Sequence, residues 1–336
     1  MYGSGETGDA PVICIIIVTS PAKKMNILCG AVAEMRWQAD MIDNYDPYII
    51  TYPEILAVAS EDGSSVELIE RFDCIGGAMW VKHHYGKSPL VRHVRTVGQT
   101  TRYLLSTGTV DLKLVGSRFP AGIARVAVSD AEIGITYLGM GGGGVGASVC
   151  RAEATGVIRS ESDPCGGGRV AGSRIVLPRR KRVIIGIDDT DTPDEGATWT
   201  LCHNIARSIE DKDTRYLSHT IVQLYPVAYR TKNCVAVACE FATTDPAACI
   251  DSFEALLKKH TLSDDTGMAA YTGFDPIAFE EYGWKVKQGE ITAIEMDHLL
   301  PHLDVRIAGR GLIGAVAAIP FVTRFEEALL LCDGTN

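Results

Sequence analysis

Apolar positions recur along the chain at two periods, the alternation of strands and the three-to-four spacing of helices, and a boundary falls near residue 180. From about residue 47 the pattern is that of short strands. Residues 48–59, interrupted by Pro53, and 66–72 form β-rich runs separated by the turn-forming Glu61-Asp62-Gly63-Ser64-Ser65. Gly76-Gly77 breaks the chain, and the mixed apolar spacing of 89–105 predicts a helix. Segments 111–115, 122–128 and 132–138 read as strands, the last two joined at Ser129-Asp130. A glycine loop follows at 139–146, with a helical segment at 147–158. Pro164-Cys165-Gly166-Gly167-Gly168 reads as another loop and 174–177 as a strand.

Pro178-Arg179-Arg180-Lys181-Arg182 has the polarity of a solvated linker, or secondarily of an anion site, and the domain boundary is placed there. Residues 183–187 then run continuously apolar, as in a strand buried on both faces. The loop 188–196 leads into a helix over 197–210, where Leu201, Ile205 and Ile209 recur one turn apart and predict its buried stripe. Strands are predicted at 221–224 and 235–241, a helix at 246–260 and a short helix at 312–319. The expected fold class is α+β or α/β, with two mixed-sheet domains over 46–178 and 183–332. A poorly patterned extension, 1–45, precedes them, and translation starting at Met25 or Met35 would remove much of it. A length of 336 residues suits two cores.

Composition sharpens this only in places. Hydrophobic residues make up 46% of the chain, which is ordinary for a globular protein. A formal net charge of −10 disfavours a broad nucleic-acid surface, which is built from many Lys and Arg contacts. The ten cysteines, Cys14, Cys29, Cys74, Cys150, Cys165, Cys202, Cys234, Cys239, Cys249 and Cys332, form no C-x-x-C pair. That excludes a zinc ribbon and fits core thiols in a reducing compartment. The apolar run 12–18 is too short to span a bilayer and follows Glu6 and Asp9 rather than basic residues. A cytoplasmic protein without a membrane anchor is expected.

The strongest chemical signal is Gly186-Ile187-Asp188-Asp189-Thr190-Asp191 at the end of the buried strand. Carboxylates this close repel one another unless a cation neutralises them, and hard oxygen ligands suit Mg²⁺. Asp188 and Asp191 are the expected metal ligands, with Asp189 orienting or sharing the metal. The plainer alternative is an acidic loop in which Asp188 or Thr192 caps the next helix. Gly196 ends the loop, and Thr198 and Thr200 open the helix, where hydroxyls and free N–H groups can hold phosphate. Arg230-Thr231-Lys232-Asn233, before the strand at 235–241, fits a phosphate clamp or a solvated turn. Gly309-Arg310-Gly311 fits a backbone anion cradle or a plain tight turn.

In the first half, Trp80-Val81-Lys82-His83-His84-Tyr85 gathers the most chemical side chains. Lys82, His83 and His84 fit substrate contact or structural histidines. A metal would need partners such as His93 or Cys74. The glycine run holding Gly141, Gly142, Gly143 and Gly144 lacks a Walker lysine, and fits either a phosphate or carboxylate site or a hinge.

Taken in order, the aspartate loop, Arg230-Thr231-Lys232-Asn233 and Gly309-Arg310-Gly311-Leu312-Ile313-Gly314-Ala315 resemble the archaeal synthetase that attaches agmatine to a tRNA-isoleucine cytidine. The resemblance implies a kinase-like α/β domain with a ferredoxin-like portion, ATP and Mg²⁺ as cofactors, and phosphate and metal roles for Asp188, Asp189 and Asp191. That family has a catalytic threonine after the loop, which either Thr198 or Thr200 matches. The synthetase also carries an OB-fold and zinc ribbon for tRNA. This chain ends at Asn336 without a C-x-x-C and has a different domain before the motif, which argues against the same tRNA reaction.

From about Asp46 onward the chain more closely resembles methanogenesis marker protein 11. The match is carried by Phe72-Asp73-Cys74-Ile75-Gly76-Gly77-Ala78-Met79-Trp80-Val81-Lys82-His83-His84-Tyr85, by Gly116-Ser117-Arg118-Phe119-Pro120-Ala121-Gly122, and by the glycine run. Asp188-Asp189-Thr190-Asp191 with Glu195-Gly196-Ala197-Thr198-Trp199-Thr200 adds to it. The expected function is ATP- and Mg²⁺-dependent phosphoryl or adenylyl transfer in a methanogenic archaeon, transferase- or ligase-like. Its acceptor would be a coenzyme precursor or a side chain of methyl-coenzyme M reductase, and an oligomer is compatible. The alternative is an ATP-responsive assembly or activation factor for a methanogenesis enzyme.

Overall fold

The computed structural model describes residues 48–334, and residues 49–334 belong to one compact unit. The extension 1–45, the run 12–18, the alternative starts Met25 and Met35, and Cys14 and Cys29 lie outside the described residues. The fold is α+β. It has three sheets in which every ladder is antiparallel, with helices packed on them.

The first sheet holds β1 (Glu54–Ala59), β2 (Ser65–Arg71), β3 (Val91–Val97) and β4 (Thr100–Ser106) in the order β1-β2-β4-β3. The predicted turn closes β1 on β2, where Asp62 Oδ1 accepts from Ser60 Oγ, Ser64 N and Ser64 Oγ. The second sheet holds β5 (Gly108–Thr109), β6 (Ala121–Val128), β7 (Glu132–Met140), β8 (Arg159–Ser162) and β9 (Val170–Pro178), ordered β5-β6-β7-β9-β8. Both sheets feed one core, in which Leu68, Tyr103 and Leu105 meet Ile123, Ile135 and Ile175. At its centre Arg151 and Glu70 form a fully buried pair, Nε to Oε1 at 2.7 Å and Nη2 to Oε2 at 2.9 Å. The guanidinium lies 4.2 to 4.5 Å from the ring centroids of Tyr52, Tyr85 and Tyr137.

The third sheet, ordered β11-β12-β10-β13-β14, comprises β10 (Lys181–Asp188), β11 (Thr214–Gln223), β12 (Val235–Thr243), β13 (Gly267–Thr272) and β14 (Asp304–Ala308). Its centre is β10, and both of its faces are covered. Val183, Ile185 and Ile187 pack with Ile205, Phe253 and Leu257, whereas Ile184 packs in a core with Val316, Ile319 and Phe321. This explains why the strand has no polar face in sequence.

Several expectations are corrected. Residues 89–105 are the hairpin β3–β4. The β-branched Val91, Val94, Thr96, Val97, Thr100 and Thr101 suit extended backbone, and Gly98 turns the chain at φ +57°. Gly76-Gly77 does not break the chain but opens α1 (Ile75–Tyr85), whose N-cap Cys74 accepts Gly77 N at 3.3 Å. Residues 111–115 form no strand beyond a bridge from Val115 to Phe119. The glycine run is the end of β7 followed by α2 (Gly142–Ala147), and the helix expected at 147–158 shrinks to α3 (Val149–Ala152). The linker at 178–182 is a two-residue connection from β9 to β10, and Arg180 and Arg182 are buried rather than solvated. In the helix predicted at 197–210, the buried stripe is Cys202, Ile205 and Ala206, flanked by the half-buried Leu201 and Ile209. Among the described residues no helix is long and apolar enough to cross a membrane.

Arg182 belongs to a cluster joining the sheets. Arg102 on β4 reaches Glu67 at 3.0 Å and Glu240 on β12 at 2.6 Å. Arg182 on β10 reaches Glu240 at 3.0 Å and also pairs with Glu67.

Candidate functional site

The buried strand β10 ends at Asp188, in the middle of the third sheet, and α4 (Thr198–Ser208) begins after the loop. Asp189 adopts φ +54°, unusual for a residue with a side chain and a form of strain that concentrates at functional sites. Asp188 Oδ1 accepts Asp189 N at 2.8 Å. Burial, and after it the charge of Asp189, pushes the Asp188 carboxyl well above the usual carboxylate range. Burial also raises Asp189, opposed by the Arg310 guanidinium.

The other half of the loop is a closed polar ring. Thr198 Oγ1 accepts Thr190 N at 3.2 Å and Thr190 Oγ1 at 3.1 Å, and donates to Asp191 Oδ1 at 3.3 Å. Thr231 Oγ1 reaches the same oxygen at 3.4 Å. Lys232 Nζ lies 3.5 Å from Asp191 Oδ2 and donates to Gly196 O at 2.8 Å. Gly196 turns at φ +86°, which favours glycine. Thr198 therefore joins the aspartate loop, whereas Thr200 is exposed further along the helix.

The glycine motif has a packing reason. It precedes α7 (Leu312–Ala318), whose first turn presses on the end of β10; α5 (Pro246–His260) and α6 (Glu280–Gln288) complete the helices around the sheet. A Cβ at Gly186 would lie 1.9 Å from Ala315 O, one at Gly311 2.7 Å from Asp188 O, and one at Gly314 1.9 Å from Asp188 Oδ2. A Cβ at Gly309 would fall 2.4 Å from the Asp265 backbone. Arg310 pairs with Asp265 at 2.9 Å and stands 4.9 Å from the Tyr229 ring centroid.

The three motifs meet at one pocket, whose polar lining is Asp188, Asp189, Arg230, Thr231, Asn233, Arg310 and Gly311, whereas Asp191 and Lys232 do not line it. Its apolar slot is formed by Leu224, Val227, Val286, Ile291 and Ile313 with Tyr225 and Tyr229. The pattern of single residues did not predict that slot. Tyr225 and Tyr229 beside Arg230 were a usable signal, but Val286, Glu290 and Ile291 come from a distant helix end that carries none.

The expected first-half residues do not line this pocket. Lys82 is half-buried on α1, and His83 is exposed with Nε2 3.0 Å from Lys87 Nζ. His84 is buried against Trp80, ring centroids 4.4 Å apart, and burial, with His83 and Lys87, lowers its pKa. Gly141 turns at φ +59°, Gly142 is exposed, and Gly143 and Gly144 are buried close against Pro120 O and Gly139 O. The glycine run thus lets a helix approach its sheet instead of forming an open cradle. Arg151 ties it to α1, donating to Gly146 O at 2.7 Å and Tyr85 Oη at 3.1 Å. Among the described residues no three His, Cys, Asp or Glu side chains converge as a metal cluster.

Residues 184–248 match the family model of the TiaS TCKD domain. The uncharacterized protein MJ0921 of Methanocaldococcus jannaschii is 35% identical over 295 residues, covering 84% of this chain and 98% of that protein. Two solved structures are also similar. A complex of TiaS with an isoleucine tRNA and ATP is 23% identical with a TM-score of 0.39, over 42% of this chain and 36% of that one. A tRNA fluorescent labeling enzyme is 23% identical with a TM-score of 0.38, over 41% and 36%. The chain thus spans little more than a third of the length of these two structures.

Proposed function

The chain belongs to the family of the Methanocaldococcus jannaschii protein MJ0921, and on that footing we propose that it is an ATP- and Mg²⁺-dependent enzyme transferring a phosphoryl or adenylyl group to activate a second substrate. The observation that carries the reading is the meeting of three separated motifs at one pocket, within and beside the segment that matches the TiaS TCKD domain. Arg230, Thr231, Asn233 and Arg310 supply donors for phosphate oxygens. Lys232 and Thr231 hold Asp191 in place, and Thr198 fixes the loop from the other side.

Mg²⁺ would be held by the hard oxygen donors of Asp188 and Asp191, and a carboxyl raised by burial and by its neighbours is what a divalent cation relieves. When bound, the ion neutralises phosphate charge. The protein's own contribution is positioning and charge complementarity. Following the marker-protein resemblance, the acceptor is a methanogenic coenzyme precursor or a side chain of methyl-coenzyme M reductase, in the cytoplasm. Lys82 and His83 on α1 are its proposed contact region. A net charge of −10 favours such an acceptor over RNA.

Calorimetric titration of Mg·ATP into the full chain and its Asp188→Asn variant tests the reading. Saturable binding that weakens about tenfold or more in the variant is expected. Equal binding by the variant would overturn the site assignment, and no binding by the folded wild type would overturn the nucleotide reading. Product analysis then separates the two transfers, since phosphoryl transfer releases ADP and adenylyl transfer releases pyrophosphate.

A further inference from the structure

Tyr229 and Glu290 both line the pocket, and neither belongs to the three motifs. Tyr229 stands on the loop between β11 and β12, while Glu290 follows the end of α6. Glu290 is exposed and Tyr229 is 46% exposed. The lining also includes the apolar Leu224, Val286 and Ile291, so the phosphate-suited Arg230 and Arg310 share the pocket with a slot of apolar and aromatic side chains that includes the Glu290 carboxylate.

Such a slot suits a flat heteroaromatic ring, because apolar and aromatic walls take its faces and the edge is left to polar groups. A carboxylate accepts hydrogen bonds and donates none, so it favours an edge bearing an amino group and repels one bearing a carbonyl. Resting on the nucleotide reading above, we propose that the slot takes the nucleotide's base and that Glu290 determines specificity by accepting from an exocyclic amino group. Tyr229, with the Arg310 guanidinium 4.9 Å from its ring centroid, serves as one wall.

The test compares Mg·ATP with Mg·ITP, in which a carbonyl replaces the 6-amino group, and CTP with UTP, which differ in the same sense. Each is titrated calorimetrically into the full chain and its Glu290→Gln variant. Glu290 is exposed, and thermal unfolding verifies that the variant folds. The wild type is expected to bind ATP about tenfold or more tighter than ITP. Glu290→Gln, whose amide can donate to a carbonyl, should bring the two within about threefold without weakening ITP. Equal affinity of the wild type for ATP and ITP would overturn the proposal. So would a variant that keeps the full preference. In both cases ATP binding that depends on Asp188 would leave the nucleotide reading standing. A wild type that binds no nucleotide would overturn both.

Discussion

Arg151 shows how a single side chain can organise a core that apolar packing alone would leave degenerate. Its guanidinium satisfies Glu70, Tyr85 and Gly146 O, and it sits among three tyrosine rings. Removing one member of a buried pair leaves the other charge uncompensated, which costs about 3–5 kcal/mol, whereas replacing both with apolar groups costs less. Arg151→Met is therefore expected to lose about 3–5 kcal/mol in denaturant unfolding, and the double variant with Glu70→Leu to recover part of it. A loss below about 1 kcal/mol in the single variant would refute this role. Nothing in the local sequence announces the pair, because an arginine behind a glycine run and a glutamate in an alternating strand both read as ordinary surface residues. Asp188, by contrast, was legible as chemistry from its neighbours alone, since three carboxylates in four residues need an explanation.

At the level of elements, legibility followed the strength of the local signal. The helix Pro246–His260 was read at its bounds because Asp245 caps it, accepting Ala248 N at 3.1 Å, and Pro246 starts it. The strand β10 was legible because both of its faces are covered. The β3–β4 hairpin was misread because Leu90, Val94 and Val97 also fall at helical spacing, and only pairing with β2 decides between the two. The apolar half of the pocket was illegible for a related reason, since its walls meet only after α6 packs. Gly186 tests the closeness of that packing. In Gly186→Ala the new Cβ would collide with the α7 backbone, so a loss of about 1–3 kcal/mol is expected. Displacing α7 also moves Gly311 and Gly314 away from Asp188, so Mg·ATP affinity should fall with it. A variant with unchanged melting temperature and unchanged affinity would show that α7 accommodates the methyl group.

Across the whole molecule, the Glu67–Arg102–Glu240–Arg182 cluster joins the first sheet to the third. Burial alone would raise the Glu240 carboxyl, but Arg102 and then Arg182 hold it down to about 2. A carboxyl lowered in the folded state contributes stability that is fully present above its unfolded value of about 4.5 and is lost as pH falls from there towards about 2. Acid titration of unfolding should show this slope in the wild type and a flatter one in Glu240→Gln. Equal slopes would mean that the cluster does not couple stability to protons.

The same cluster bears on what could be cut from this chain. A fragment beginning at Val183 would keep the aspartate loop, all three motifs and Glu240, yet lose both guanidiniums that neutralise that carboxylate. The candidate catalytic half is therefore not a detachable cassette. Its central sheet is electrically completed by Arg102 from the first sheet and by Arg182 at the start of β10, so recombination at Val183 would transplant an unbalanced charge along with the chemistry.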